Sequence, residues 1–102
     1  MEMEKYVYYG MLFDIYQSLL KGNKEELFKL YYEENLTLQE IADDLKVSKS
    51  YVGKVIKDTE KILDELESKL HIYEDREKLE EILELDDLEK IKKEIRKVID
   101  NK

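Results

Sequence analysis

The chain has 102 residues, 43% of them charged, with a formal net charge of −8 and neither cysteine nor proline. That length suits one domain with a helical extension, and the lack of cysteine excludes disulfides, thiolate nucleophiles and cysteine-based zinc sites. Three glycines and no proline leave too few turn residues for an all-β fold, while abundant Leu, Ile, Glu and Lys favour helix.

Apolar residues spaced by three and four predict a first helix from about Glu4 to about Leu20, carrying Tyr8, Met11, Leu12, Ile15, Tyr16 and Leu19. Gly22 and Asn23 end it. Asn23 is then an expected N-cap for a second helix, with Glu26 at the capping-box position three residues on. That helix presents Leu27, Leu30 and Tyr31 and stops near Glu34 and Asn35. Thr37 and Glu40 form another expected box, opening the short helix LQEIADDL with Leu38, Ile41, Ala42 and Leu45 turned inward. The turn Lys46-Val47 leads to Ser48, the expected cap of the next helix. Val52, Val55, Ile56, Ile62, Leu63, Leu66 and Leu70 then run without a breaker, which predicts one long helix from about Lys49 to about Leu70. After a hesitation at His71-Ile72, a helix is expected over about Tyr73 to Glu84. Asp86, with Glu89 as its partner, is the expected cap of a last helix carrying Leu88, Ile91, Ile95, Val98 and Ile99. The division that follows is a helix-turn-helix domain over residues 1–70 and a C-terminal helical extension over 71–102, serving packing or dimerisation.

The stretch LTLQEIADDLKVSKSYVGKVIKDT, Leu36 to Thr59, is the informative one. A short helix, a tight turn and a second helix define a helix-turn-helix, whose second helix enters the DNA major groove with its first residues toward the bases. Small Ala42 suits a close helix crossing, and Val47 is placed to plug the corner. From Ser48 to Lys57 the only charges are Lys49, Lys54 and Lys57. The nucleic-acid-binding residues expected on this reading are Lys49, Ser50, Tyr51, Lys54 and Lys57. The plainer alternative is a helical hairpin with a solvated lysine face; the caps, the small residue, the turn and the acid-free second helix favour the former together.

The runs DIYQSLL, LYYEENLTLQEIADDLKVS and KDTEKILDELESKL resemble the YlxM family of bacterial helix-turn-helix proteins, over about Met1 to Leu83. The centre also looks like region 4 of sigma factors, in the order LYY, LTLQEIA, VS, V. The resemblance implies an all-α fold, a helix-turn-helix core with an extended C-terminal helical segment. It further implies an accessory or regulatory role at the signal recognition particle, with the particle's GTPase or its RNA as partner. The family's second helix reads SRQAVYDNIKR where this chain has SKSYVGKVIKD. Lys49 keeps the basic position, Tyr51 and Gly53 replace a small residue and an aromatic one, and Asp58 replaces a base.

The remaining signals carry less. Tyr6, Tyr8, Tyr9, Tyr31 and Tyr32 could stack on bases, but their helical spacing favours Tyr8, Tyr16 and Tyr31 in the core with hydroxyls at its rim. His71, the single histidine, reads as a helix-end residue rather than a pH switch. Glu80, Glu81, Glu84, Asp86 and Asp87 lack EF-hand spacing and read as a solvated acidic face. No nucleophile–base pair, glycine-rich phosphate loop or metal cluster is legible, so neither catalysis nor a cofactor is expected. No apolar run is long enough to span a bilayer and the N-terminus lacks a signal pattern, so a cytoplasmic protein without membrane contact is expected. A net acidic chain argues against indiscriminate nucleic-acid binding. From Leu88 to Lys102, however, six bases face three acids.

Three readings follow. The leading one is a binding accessory of the signal recognition particle, contacting protein or RNA. The second is a sigma-region-4-like DNA-binding regulator. The third is a protein-binding helical adaptor. The stripe Ile62, Leu63, Leu66, Leu70 and the stripe Leu88, Ile91, Ile95, Val98, Ile99 need cover beyond a single small core, which predicts a homodimer through the C-terminal half.

Overall fold

The computed structural model describes residues 2–101 of the chain, with side chains from residue 4 onward; Lys102, one of the six bases counted above, lies outside them. Among these residues there is no strand. Six α-helices follow one another: α1 Glu2–Tyr16, α2 Lys24–Tyr32, α3 Leu38–Leu45, α4 Lys49–Leu70, α5 Ile72–Ile82 and α6 Leu88–Asp100.

α1 ends earlier than its apolar pattern suggests. The chain tightens into a 3-10 turn over Gln17–Leu19, closed by the amide of Leu20 on the carbonyl of Gln17 at 3.1 Å. Leu20 is thereby turned into the core. Gly22 then takes a left-handed conformation, φ 67°, which a residue lacking Cβ adopts without strain. Asn23 does not cap α2: its backbone is already helical and its side chain makes no cap bond.

α3 and α4 begin as their caps dictate. The Thr37 hydroxyl accepts from the amide of Glu40 at 3.1 Å, and the Glu40 carboxylate accepts from the amide of Thr37 at 2.9 Å. Ser48 Oγ accepts from the amide of Tyr51 at 3.1 Å. Each such cap satisfies a donor the helix cannot, worth about 1 kcal/mol. Between the helices Lys46 adopts the left-handed region, φ 58°, and turns the chain. Val47 does not plug the corner. It is 39% exposed, because the reversal is made by the Lys46 backbone and by Val47 N–H bonding the carbonyl of Ala42.

The core lies where α1, α2 and α3 meet one side of α4. Leu12, Phe13, Phe28, Ile41, Val52 and Leu63 are fully buried in it. Phe28 lies between Phe13 and the ring of Tyr32, stacked on the latter at 4.2 Å. Most of the α4 stripe therefore closes within the chain: Leu63 is buried, and Ile62 and Leu66 are half-buried against the same cluster, while Leu70 at its end stays 42% exposed.

Polar contacts run along this interface. Glu60, Asp64 and Glu67, one helical turn apart on α4, each accept from a tyrosine: Tyr32 at 2.8 Å, Tyr9 at 2.8 Å and Tyr16 at 2.6 Å. Burial, then the bond to its carboxylate, raises each of these hydroxyls above the ordinary phenol range, Tyr16 to about 12. Tyr6 adds a brace by donating to the carbonyls of Tyr31 and Tyr32 at the end of α2.

At the far end of α4, His71 is left-handed, φ 55°, and gives α5 no side-chain cap. Glu67 does so from the preceding turn, accepting from the amides of Tyr73 and Glu74, each at 3.0 Å. α5 starts at Ile72 and ends at Ile82, somewhat short of the expected span. Asp87, not Asp86, caps α6, because Asp87 has the extended backbone that brings its carboxylate onto the amides of Glu89 and Lys90. α5 lies back against α1 and α4, whereas α6 packs on α5. The result is an elongated molecule of 57 × 22 × 21 Å.

Candidate nucleic-acid interface

The α3–turn–α4 unit is held from beneath by Ile41, Ala42, Val52 and Ile56, all buried. Ala42 is 1% exposed, so the small residue does sit at the crossing. With Val52, Val55 and Ile56 turned inward, helical periodicity leaves the other side of the first turns of α4 outward. Lys49, Ser50, Tyr51, Lys54 and Lys57 are all exposed there. Sequence reasoning thus placed these five on one helix with an open face.

Two contacts modify this face. Lys54 pairs with Asp58 one turn on, at 3.8 Å. Asp58 stands where the resembling family has a base, so part of the positive charge is answered within α4. The Tyr51 hydroxyl accepts from the side-chain amide of Asn23. That link ties the start of α4 to the corner before α2. A shallow cleft lined by Asn23, Leu27, Leu45, Val47 and Tyr51 lies beneath it. A second cleft on the other flank is lined by Tyr31, Thr37, Leu38, Gln39 and Lys49.

The tyrosines do not offer a stacking platform. Tyr6 stacks on Tyr32 at 4.7 Å and meets Tyr31 edge-on at 6.1 Å, so these rings are occupied by one another. Tyr16 is buried, and Tyr8 and Tyr31 are half-buried. Tyr51, 42% exposed, remains the aromatic on the α4 face.

One further cluster brings ligand-type atoms together: those of Glu67, His71 and Glu74 lie within 4.8 Å of one another. Their bonds describe a helix junction. Both Glu67 oxygens are taken by Tyr16 and by the amides of α5, and His71 Nδ1 pairs with Glu74 at 2.9 Å. The bonds to His71 and then to Lys78 hold the Glu74 carboxyl below its ordinary range. His71 is the left-handed corner between two helices, which spacing alone does not reveal. The acids of the expected solvated face, Glu80, Glu81, Glu84, Asp86 and Asp87, are exposed.

The six helices, the left-handed corners at either end of α4 and the capped α3–α4 unit define an all-α helix-turn-helix protein. The chain belongs to the UPF0122 family of YlxM/p13-like helix-turn-helix proteins, whose profile matches residues 3–102. The match extends past Leu83, where the resemblance read from the sequence ended, and takes in α6. Among curated relatives, a UPF0122 protein of Mycoplasma capricolum is 42% identical over 77 residues, covering 76% of this chain and 68% of that protein. One from Streptococcus gordonii is 42% identical over 84 residues, covering 82% and 76%. One from Lactiplantibacillus plantarum is 43% identical over 75 residues, covering 74% and 65%. Among the described residues no helix is long and apolar enough to cross a membrane.

Proposed function

We propose that this protein acts by binding rather than by catalysis, as an accessory or regulator of the signal recognition particle, and that it meets RNA of that particle with the first turns of α4. The observation that carries the reading is the open face of Lys49, Ser50, Tyr51, Lys54 and Lys57, mounted on a capped and fully packed helix-turn-helix. Three lysines supply phosphate contacts and Tyr51 supplies a ring on which an unpaired base can stack. Asp58 and the overall charge of −8 keep such contact weak and dependent on ionic strength. The particle itself enters through the resemblance to the YlxM family.

The test is fluorescence anisotropy of labelled particle RNA against salt concentration, with the unchanged chain and with Lys49→Glu, Lys54→Glu and Lys57→Glu combined. Each phosphate contact contributes a log–log salt slope of about −0.7 for single strands and about −0.9 for duplex DNA. The triple variant is expected to lose binding while keeping its helical content, since all three side chains are exposed. Undiminished affinity in that variant overturns the interface and moves it to the basic face of Lys92, Lys93, Arg96 and Lys97. Tight binding to a particular DNA duplex, with none to the RNA, replaces this reading by the sigma-region-4-like regulator. Binding to the particle's GTPase alone replaces it by the protein-binding adaptor.

A further inference from the structure

The C-terminal hairpin of α5 and α6 has its own small interior and a second apolar face with nothing on it. Ile82 is buried between the helices, with Leu85, Ile91 and Val98 half-buried around it. On one side, Leu79 of α5 and Leu83 just past its end face Ile91 and Ile95 of α6 across an open groove. Ile72 extends the α5 stripe, and Leu88 and Ile99 extend that of α6, at helical spacings of three, four and seven. The exposure is large: 82% for Leu83, 65% for Ile99 and 61% for Leu88. A two-helix layer with an apolar face is half of a packing unit.

We infer that this face is the interface of a homodimer, in which two α5–α6 hairpins close into a four-helix bundle. The charge pattern identifies a second copy as the occupant. α5 carries Glu74, Asp75, Glu77, Glu80 and Glu81 against Arg76 and Lys78. α6 carries Lys90, Lys92, Lys93, Arg96 and Lys97 against Glu89, Glu94 and Asp100. Lys78, Glu81, Lys90, Glu94, Lys97 and Asp100 line the opposite side of the hairpin. The remaining charges are Glu74, Asp75, Glu77 and Glu80 against Arg76 on α5, and Lys92, Lys93 and Arg96 against Glu89 on α6, so α5 stays the acidic helix and α6 the basic one, and the hairpin complements itself when turned over. A two-fold axis parallel to the helices lays each acidic α5 on the partner's basic α6, with every neighbouring pair antiparallel. An axis across the helices would set acidic α5 on acidic α5. The first arrangement is selected, since like charges facing each other destabilise an interface. It places Glu80, which lines the groove, near the partner's Lys92. Ile62, Leu63 and Leu66 of α4 take no part, because they are already covered within each chain.

Equilibrium sedimentation of the full chain at tens of micromolar is expected to give twice the 12.3 kDa of one chain. The same chain with Leu83→Glu and Ile99→Glu is expected to give a single-chain mass with unchanged helical content, as both side chains are exposed in one copy. A single-chain mass for the unchanged protein overturns the proposal and leaves the face to a different protein or a lipid surface. A dimer that survives both substitutions overturns it equally, by placing the interface elsewhere. The axis is read by oxidising a mixture of Glu80→Cys chains with Lys92→Cys chains. Faster cross-linking between the two kinds than within either supports the parallel axis. Predominant linkage of Glu80→Cys chains to one another refutes it.

Discussion

The two ends of α4 are built on opposite plans. At its start the chain turns through Lys46, Ser48 caps the helix from one residue away, and α2 and α3 cover the apolar side. At its end the chain turns through His71, the following helix is capped from the turn before by Glu67, and the hairpin beyond is covered on one side only. Both corners are left-handed at a residue with a side chain, at a cost of order 1 kcal/mol each. At the first corner neighbouring residues offset that cost. At the second, the offset comes through Tyr16, a residue of α1 more than fifty positions away. A corner held by local caps survives loss of a distant contact, whereas one held by a buried carboxylate does not.

Glu67→Ala should therefore be the most damaging loss of a polar side chain on α4. It strips the acceptor from the Tyr16 hydroxyl and from two amides of α5 at once, and about 3 kcal/mol of unfolding free energy should vanish in urea titrations. Amide hydrogen exchange should speed up first at the start of α5, and uniform acceleration along the chain would show that the corner is not a separate weak point. Ala42→Leu attacks the other end, overpacking the α3–α4 crossing at a residue that is 1% exposed. A loss of about 2 kcal/mol is expected, and a neutral melting temperature would mean that the crossing is looser than its burial implies. Gly53→Ala works in the opposite direction. An added Cβ there meets the Leu38 side chain at 3.8 Å, ordinary van der Waals contact, so α4 should gain about 0.5–1 kcal/mol from the lost backbone freedom of glycine. No gain on thermal denaturation would mean that the backbone at Gly53 is held in a way its helical geometry does not disclose.

The same contrast governs what could be read before any coordinates. The Thr37–Glu40 box, the Ser48 cap and the unbroken run from Lys49 to Leu70 are local or periodic features, and all three form as spacing predicts. Asn23 resembles them in sequence and fails, because its backbone is already helical where those of Thr37 and Ser48 are extended, while its side-chain amide donates to Tyr51 across 28 residues. Asp86 and Asp87 are chemically equivalent neighbours, and only the backbone angles select between them. Glu60, Asp64 and Glu67 show helical spacing, yet nothing local reveals that each awaits a tyrosine. The five residues of the α4 face were legible because inward apolar positions fix the outward ones. Their partial neutralisation follows the same periodicity, since Lys54 and Asp58 lie four apart on one helix.

The length of α4 has a mechanical consequence. Its 22 residues form a rod of about 33 Å at 1.5 Å per residue, with the lysine face at one tip and the root of the hairpin at the other. No glycine or proline lies between Lys54 and Leu70 to act as a joint. A tilt of about 10° at the gripping tip sweeps the other through roughly 6 Å by the same geometry. The chain is in this sense a lever, and whatever holds the lysine end also sets the position of the arm.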